Sequence, residues 1–270
     1  MDNISNFVEL NKSNKIWAIG SIHSNLKSFN AVKKFILNNF ESNDKLIFLG
    51  NIIGLGDNPK ETLSSVIELR FNLMSKFQLK PDSIVFLRGA QEEMFSKLLQ
   101  LQLAPNPSEI VEWMFDHGVN ETIKSYGFSE DEVKNIASSG TIQISKWTAN
   151  LSKSLQNNSG HIQYFLNLKH AAYSHTKEIL FVNRGVDITR PLSAQNDCFW
   201  WGFQDFSTIN HPYKTFLRIV RGYESEHTNK LEISKNNIVC TLFKQPLSNK
   251  TILFGIFKEN GEILEIFENN

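Results

Sequence analysis

Residues Lys45–Glu61 read KLIFLGNIIGLGDNPKE. Leu46, Ile47, Phe48 and Leu49 form an unbroken apolar run, the mark of a strand covered on both faces. Gly50, Gly54 and Gly56 then punctuate a loop, and Pro59 stands where a helix can begin. A buried strand that ends in a glycine-rich loop and restarts as a helix is where α/β proteins place their sites.

The same pattern recurs on either side. Ile16–Ile19 predicts a strand, followed by the loop Gly20-Ser21-Ile22-His23-Ser24-Asn25-Leu26. A helix comes next, with Leu26, Phe29, Val32, Phe35, Ile36 and Phe40 at helical spacing. Lys60–Phe77 carries Leu63, Val66, Ile67, Phe71 and Met74 on one stripe and predicts a second helix. Ser83–Leu87 predicts a third strand, entering Arg88-Gly89-Ala90-Gln91-Glu92-Glu93-Met94. Residues 95–170 read as mostly helical, with no Pro/Ser-rich linker to separate them. Further strands are expected at Ile179–Val182, Leu217–Val220, Ile238–Leu242, Thr251–Phe257 and Ile263–Phe267, with Glu259-Asn260-Gly261 turning the last hairpin.

Bulk composition bounds the function. At 270 residues, 41% apolar and 21% charged, the chain can bury one large core or two small ones. Lys+Arg and Asp+Glu each number 28, so the chain has no net charge and no generic nucleic-acid or anionic-membrane footprint. No apolar run approaches the roughly 20 residues that span a bilayer, and the N-terminal MDNISNFVELNKSNK has no apolar signal core. Cys198 and Cys240 are too few for a disulfide framework and match two buried thiols in a reducing compartment. A cytoplasmic protein is expected, without nucleic-acid or membrane partners.

The loops resemble those of the metallophosphoesterases, the calcineurin-like and serine/threonine phosphatase superfamily, in a bacterial branch. The frame G-D-x-x-D-R-G-P reads Gly50-Asn51-Ile52-Ile53-Gly54-Leu55-Gly56-Asp57 here. G-D-x-H-G-N-L is matched at Gly20, His23, Asn25 and Leu26, with Ser21 for the metal-binding aspartate and Ser24 for the second glycine. R-G-N-H-E-E-M keeps Arg88, Gly89, Glu92, Glu93 and Met94, with Ala90 for the metal-binding asparagine and Gln91 for the catalytic histidine. V-H-A-G becomes Val182-Asn183-Arg184-Gly185, and the last ligand histidine is replaced by Tyr223 after Gly222. Glu112–Gly127 and the stretch from Thr189 to Gly202 continue the likeness, which spans roughly residues 15–268. It implies an α/β fold: a four-layer α-β-β-α sandwich with two mixed β-sheets. Residues 1–14 would be a polar lead, 15–270 the domain, and about 95–170 a helical insert over the strand ends.

The resemblance also implies two divalent metals, Mn, Fe or Zn, that clamp a phosphate and generate a hydroxide. Such a pair needs anionic oxygens and imidazoles. Of the ligand positions only His23 survives; Ser21, Asn51, Ala90, Asn183 and Tyr223 replace the others, and Leu55 replaces the phosphate-orienting arginine. The retained glycines shape the turns, while the lost residues are those that touch metal or phosphate. The expectation is a pseudo-phosphatase with no cofactor and no catalytic residue, binding a protein or a phosphate-containing small molecule. The alternative is an active phosphoester hydrolase, of protein phosphatase or dinucleoside-polyphosphate hydrolase type, with a site rebuilt from His23, Asp57, Glu92 or Asp187. Arg88, Arg184 and Arg221 all follow predicted strands, and could gather as a metal-free anion site or pair with Asp57, Asp187 and Glu92. Bland readings also exist: turn chemistry for Asp57 and Asp187, a helix start for Glu92 and Glu93, and core packing for Trp200-Trp201. His161, His170 and His175 lack metal spacing and read as surface or helix-face residues.

Overall fold

The computed structural model describes residues 6–202, 206–224, 237–244 and 251–269. Along the chain, β1 is Phe7–Glu9, β2 Ile16–Ile19, α1 Leu26–Asn39, β3 Lys45–Phe48, α2 Pro59–Phe77, β4 Ile84–Phe86 and α3 Ala90–Leu98. The helical stretch continues through α4 Pro107–Asp116, α5 Val119–Ser125, α6 Glu130–Ala137, α7 Thr141–Gln156 and α8 His161–Leu166. Then come β5 Ala171–Tyr173, β6 Ile179–Val182, α9 Cys198–Trp201, β7 Arg218–Arg221, β8 Val239–Thr241, β9 Ile252–Phe257 and β10 Ile263–Asn269.

The strands form two mixed five-stranded sheets, in the orders β1-β5-β6-β7-β8 and β10-β9-β2-β3-β4. β2, β3 and β4 run parallel and are joined through α1 and α2, while β9 closes on β2 antiparallel. The apolar runs alternate as a pleat demands. Ile16, Ala18, Ile47, Leu49 and Val85 enter the core between the sheets with Phe181, Val220 and Leu253. Trp17, Ile19, Leu46 and Phe48 turn the other way, under α1, α2 and the helical stretch. The outer face of the first sheet is covered by a thinner layer, in which Phe199 and Trp200 of α9 pack with Tyr213 and Phe216.

Helix ends follow local chemistry. The Asn25 side chain accepts the Ser28 amide and caps α1. Pro59 opens α2, and Gln78 closes it in the left-handed region at φ 52°. Two differences from the sequence reading concern strands. Residues 7–9 belong to the sandwich, because β1 pairs in parallel with β5. β5 itself was not expected. Each is three residues long, too short for a period-two pattern to show.

Candidate functional site

Five loops at the carboxyl ends of β2, β3, β4, β6 and β7 meet where the superfamily resemblance places a metal pair. The sequence there has built a hydrogen-bonded knot instead. Asn51 has φ 54° and follows Gly50 at φ 89°, a left-handed pair that turns the chain sharply after β3. Its carbonyl accepts the amides of Ile22 and His23 at 3.0 and 2.9 Å. Its side-chain Nδ2 donates to Ser21 Oγ at 3.2 Å, and its Oδ1 accepts the Gln91 amide at 3.1 Å. Asn183, fully buried, donates from Nδ2 to the Leu49 carbonyl at 2.6 Å. The Ser21 amide donates to the Gly222 carbonyl at 2.9 Å. Thus Ser21, Asn51, Asn183 and Gly222 tie four of the loops to one another.

Glu92 is the deepest part of this knot. Its carboxylate has no solvent exposure. It accepts the amides of Asn51 and Ile52, both at 2.8 Å, the Gly89 amide at 3.0 Å and the Tyr164 hydroxyl at 3.1 Å. Burial pushes its pKa upward, and the backbone donors oppose that by stabilising the ionised form. The sequence reading offered Glu92 as a helix start, a member of a rebuilt metal site or an arginine partner, and not as the acceptor that gathers these amides. The missed signal was its retention in a motif whose metal and phosphate residues are gone.

His23 is buried with neither ring nitrogen hydrogen-bonded. Its ring meets Tyr223 and Phe243 edge-on, with centroids 5.4 and 5.9 Å apart, and Tyr223 lies 4.8 Å from Phe243. Burial pulls the imidazole pKa down to about 3, so the ring is neutral at pH 7. A cavity of about 140 Å³ lies against it, bounded by Ser24, Leu55, Gly56, Phe243 and Lys244.

The donor set does not fit a pair of dications. It comprises a serine hydroxyl, the Asn51 amide with both ends hydrogen-bonded, the Asn183 amide, whose Oδ1 is buried without a partner, the Ala90 methyl, a phenol and one imidazole walled by aromatic rings. No carboxylate is present to offset metal charge. The alternative set fails as well. Glu92 is consumed by its donors. Asp187 accepts the Thr189 amide and hydroxyl and pairs with Arg190 at 2.9 Å. Asp57 is exposed on its loop. Among the described residues no three His, Cys, Asp or Glu side chains gather as a metal could use them. At position 54, where the family carries its second aspartate, a Cβ would lie 2.0 Å from Gln91 Oε1, on a backbone at φ +78°. Gln91 has taken up that space and anchors its own Nε2 on the His117 carbonyl at 2.8 Å.

The three arginines meet different partners. Arg88 pairs with Glu93 at 2.6 Å and lies over Trp200. Arg221 is buried, donates to Thr241 Oγ1 at 2.8 Å, pairs with Glu224 and stacks 4.3 Å from Phe206. Arg184 lies over the Tyr223 ring at 5.8 Å. The carboxylates that meet Arg88 and Arg221 are Glu93 and Glu224, not the Asp57, Asp187 or Glu92 considered from sequence.

Of the remaining sequence candidates, Trp200 is core, and His175 is exposed. His161, read as a surface or helix-face residue, opens α8 and is buried between Tyr126 Oη at 2.6 Å and Ser64 Oγ at 3.0 Å, so its surface alternative is corrected. The reason is that the turn before α8 folds it under α2, which sequence spacing cannot reveal. Gln195 was not singled out, yet it is buried, accepts the Asp187 amide at 2.6 Å and donates to the Asp187 carbonyl at 2.7 Å.

No protein-family model matches the sequence, and no curated protein matches it. Solved structures do match the fold. One, assigned as a diadenosine tetraphosphatase, aligns over 98% of this chain and 99% of its own, at 13% identity and a TM-score of 0.57. A protein serine/threonine phosphatase from Saccharomyces cerevisiae, with similarity to human phosphatase PP5, aligns over 98% and 84%, at 16% identity and a TM-score of 0.53. A cold-active protein tyrosine phosphatase aligns over 97% and 80%, at 13% identity and a TM-score of 0.50. With its two mixed sheets and its site loops at the strand ends, the chain has the fold of the metallophosphoesterase, or calcineurin-like phosphatase, superfamily.

Proposed function

We propose that the protein is a pseudo-phosphatase, a metallophosphoesterase fold that has lost two-metal hydrolysis and acts by binding a protein or a phosphate-bearing small molecule. The observation that carries this reading is the state of Asn51. A bridging carboxylate would hold two dications together, whereas this amide is neutral and both of its ends are engaged, by Ser21 and by the Gln91 amide. Losing even one residue that orients a ligand costs about 10–100-fold in metal affinity, and here five ligand positions differ at once. Gln91 stands where the proton donor would be and Leu55 where the phosphate-orienting arginine would be, so neither general acid nor phosphate clamp remains.

The experiment is elemental analysis of protein purified with Mn²⁺ present, together with hydrolysis of an aryl phosphate under Mn²⁺, Fe²⁺ or Zn²⁺. The expected result is no stoichiometric metal and a rate equal to the buffer blank. Two metals per chain, or a metal-dependent rate abolished by His23→Ala, would reverse the reading in favour of an active hydrolase.

A further inference from the structure

The largest cavity described lies away from the remnant site. It is a groove of about 550 Å³ across the open side of the sandwich, where the edge strand of one sheet, β1, and that of the other, β4, come to the surface. Val8 borders it from β1 and Ile84, Val85 and Phe86 from β4, while α2 contributes Arg70 and Phe71. We propose that this groove docks an extended acidic peptide segment of a partner protein, added as a further strand along β4 with a carboxylate side chain against Arg70.

Three independent features support the occupant. The first is backbone. The Leu87 amide donates to the Phe48 carbonyl at 2.9 Å, on the β3 side. By the alternation of a parallel ladder, Val85 also faces β3, while Ile84 and Phe86 turn their backbone groups outward. The Phe86 carbonyl takes the Lys169 amide at 2.9 Å, which ends the edge at that point. Before it, Ile84 faces the groove on the last strand of its sheet. A strand edge left open inside a groove is a template for another extended chain.

The second feature is charge. The Arg70 guanidinium makes no hydrogen bond or ion pair with the described residues, and its Nε is buried. Burial pulls its pKa below the ordinary value, with no carboxylate to offset the loss of water. It lies over the Phe86 ring, 5.9 Å from the centroid. Lys169, a second cation of the groove, is also partly desolvated. Asp82, which also lines the groove, has Oδ2 held by Asn11 at 2.6 Å and Oδ1 buried without a hydrogen bond. A guanidinium so placed is best satisfied by an incoming carboxylate.

The third feature is apolar surface. Phe71 is 54% exposed beside Arg70, although α2 is otherwise an amphipathic helix with its apolar stripe on the core. Its ring, with Ile67 and Tyr164, gives the alternate side chains of a bound strand a wall to rest on. Affinity would come from main-chain bonds and selectivity from these contacts and Arg70.

The test pans a phage-displayed random decapeptide library against the full chain and measures the selected peptides by fluorescence anisotropy. The expected result is peptides with alternating apolar positions and at least one Asp or Glu, bound at least tenfold more weakly by Arg70→Glu and by Phe71→Asp. Phe71 is exposed and Arg70 half-buried on α2, so circular dichroism of each variant checks the fold. N-methylation of alternate peptide amides is expected to abolish binding in one register and spare it in the other. No enrichment, binding unchanged in both variants, or indifference to N-methylation in both registers would overturn the proposal. Indifference to N-methylation together with loss in Arg70→Glu would make the groove a pocket for small organic anions instead.

Discussion

The buried carboxylate of Glu92 and the backbone amide of Asn51 are joined by a 2.8 Å hydrogen bond between residues 41 positions apart. Three further donors converge on the same carboxylate. This one side chain therefore holds the loop after β3 against the start of α3 and fixes the left-handed turn at Asn51. It acts beside the ties that Ser21, Asn51 and Asn183 make between the same loops.

Glu92→Ala would strand the Asn51, Ile52 and Gly89 amides without an acceptor. Hydrogen bonds to a charged group contribute about 1.5–3 kcal/mol each, with strong non-additivity. A loss of at least about 3 kcal/mol in urea unfolding is expected. Tyr164→Phe removes a single donor from the same carboxylate and should cost about 1 kcal/mol.

His161 makes stability pH-dependent. The Ser64 hydroxyl donates to the Lys60 carbonyl at 2.9 Å, so Ser64 Oγ accepts from Nε2–H and the neutral Nδ1 accepts from Tyr126. Burial lowers the imidazole pKa to about 4, below its ordinary 6.5. The unfolded chain then binds more protons between these values, so stability is complete above pH 6.5 and falls as the pH drops toward 4. Between pH 7 and 5 the loss from this group is of order 1 kcal/mol after allowing for screening. Urea unfolding at both pH values should show the difference shrinking by that amount in His161→Gln.

Restoring carboxylates should not restore hydrolysis. Ser21→Asp with Asn51→Asp leaves Ala90, Asn183 and Tyr223 in place, and it breaks the bond between Asn51 and Ser21. Mn²⁺-dependent release of an aryl alcohol from its phosphate ester is expected to stay at the blank. Adding Gly54→Asp should lower the melting temperature further, because its Cβ collides with Gln91 and its backbone is left-handed.

Arg221→Ala would remove the ion pair to Glu224 and the stack on Phe206. Removing one member of a buried pair costs about 3–5 kcal/mol. Arg88 is partly exposed, and Arg88→Ala is expected to cost about 1 kcal/mol or less. Denaturant midpoints of the two variants give the comparison directly.

Much of this protein is legible along the chain, and the legible part has one physical origin. Runs such as Ile16–Ile19 and Lys45–Phe48 announce buried parallel strands because a strand covered on both faces has no polar side to show. Gly50 marks its turn because few other residues accept φ 89°. The residue types at the positions that the resemblance marks as ligands, from Ser21 to Tyr223, are likewise plain, since donor chemistry belongs to the residue itself.

Tertiary structure alone decided what those residues do now. Glu92 reaches Asn51 and Tyr164 across 41 and 72 positions. Arg88 and Arg221 met carboxylates that no spacing rule selects, and His161 went under a helix. The groove between β1 and β4 exists only because two sheets end side by side. Period and residue type are local properties, readable in order. Pairing, burial and the shape of a cavity depend on which distant segments are brought into contact, and a linear pattern carries that only through the fold.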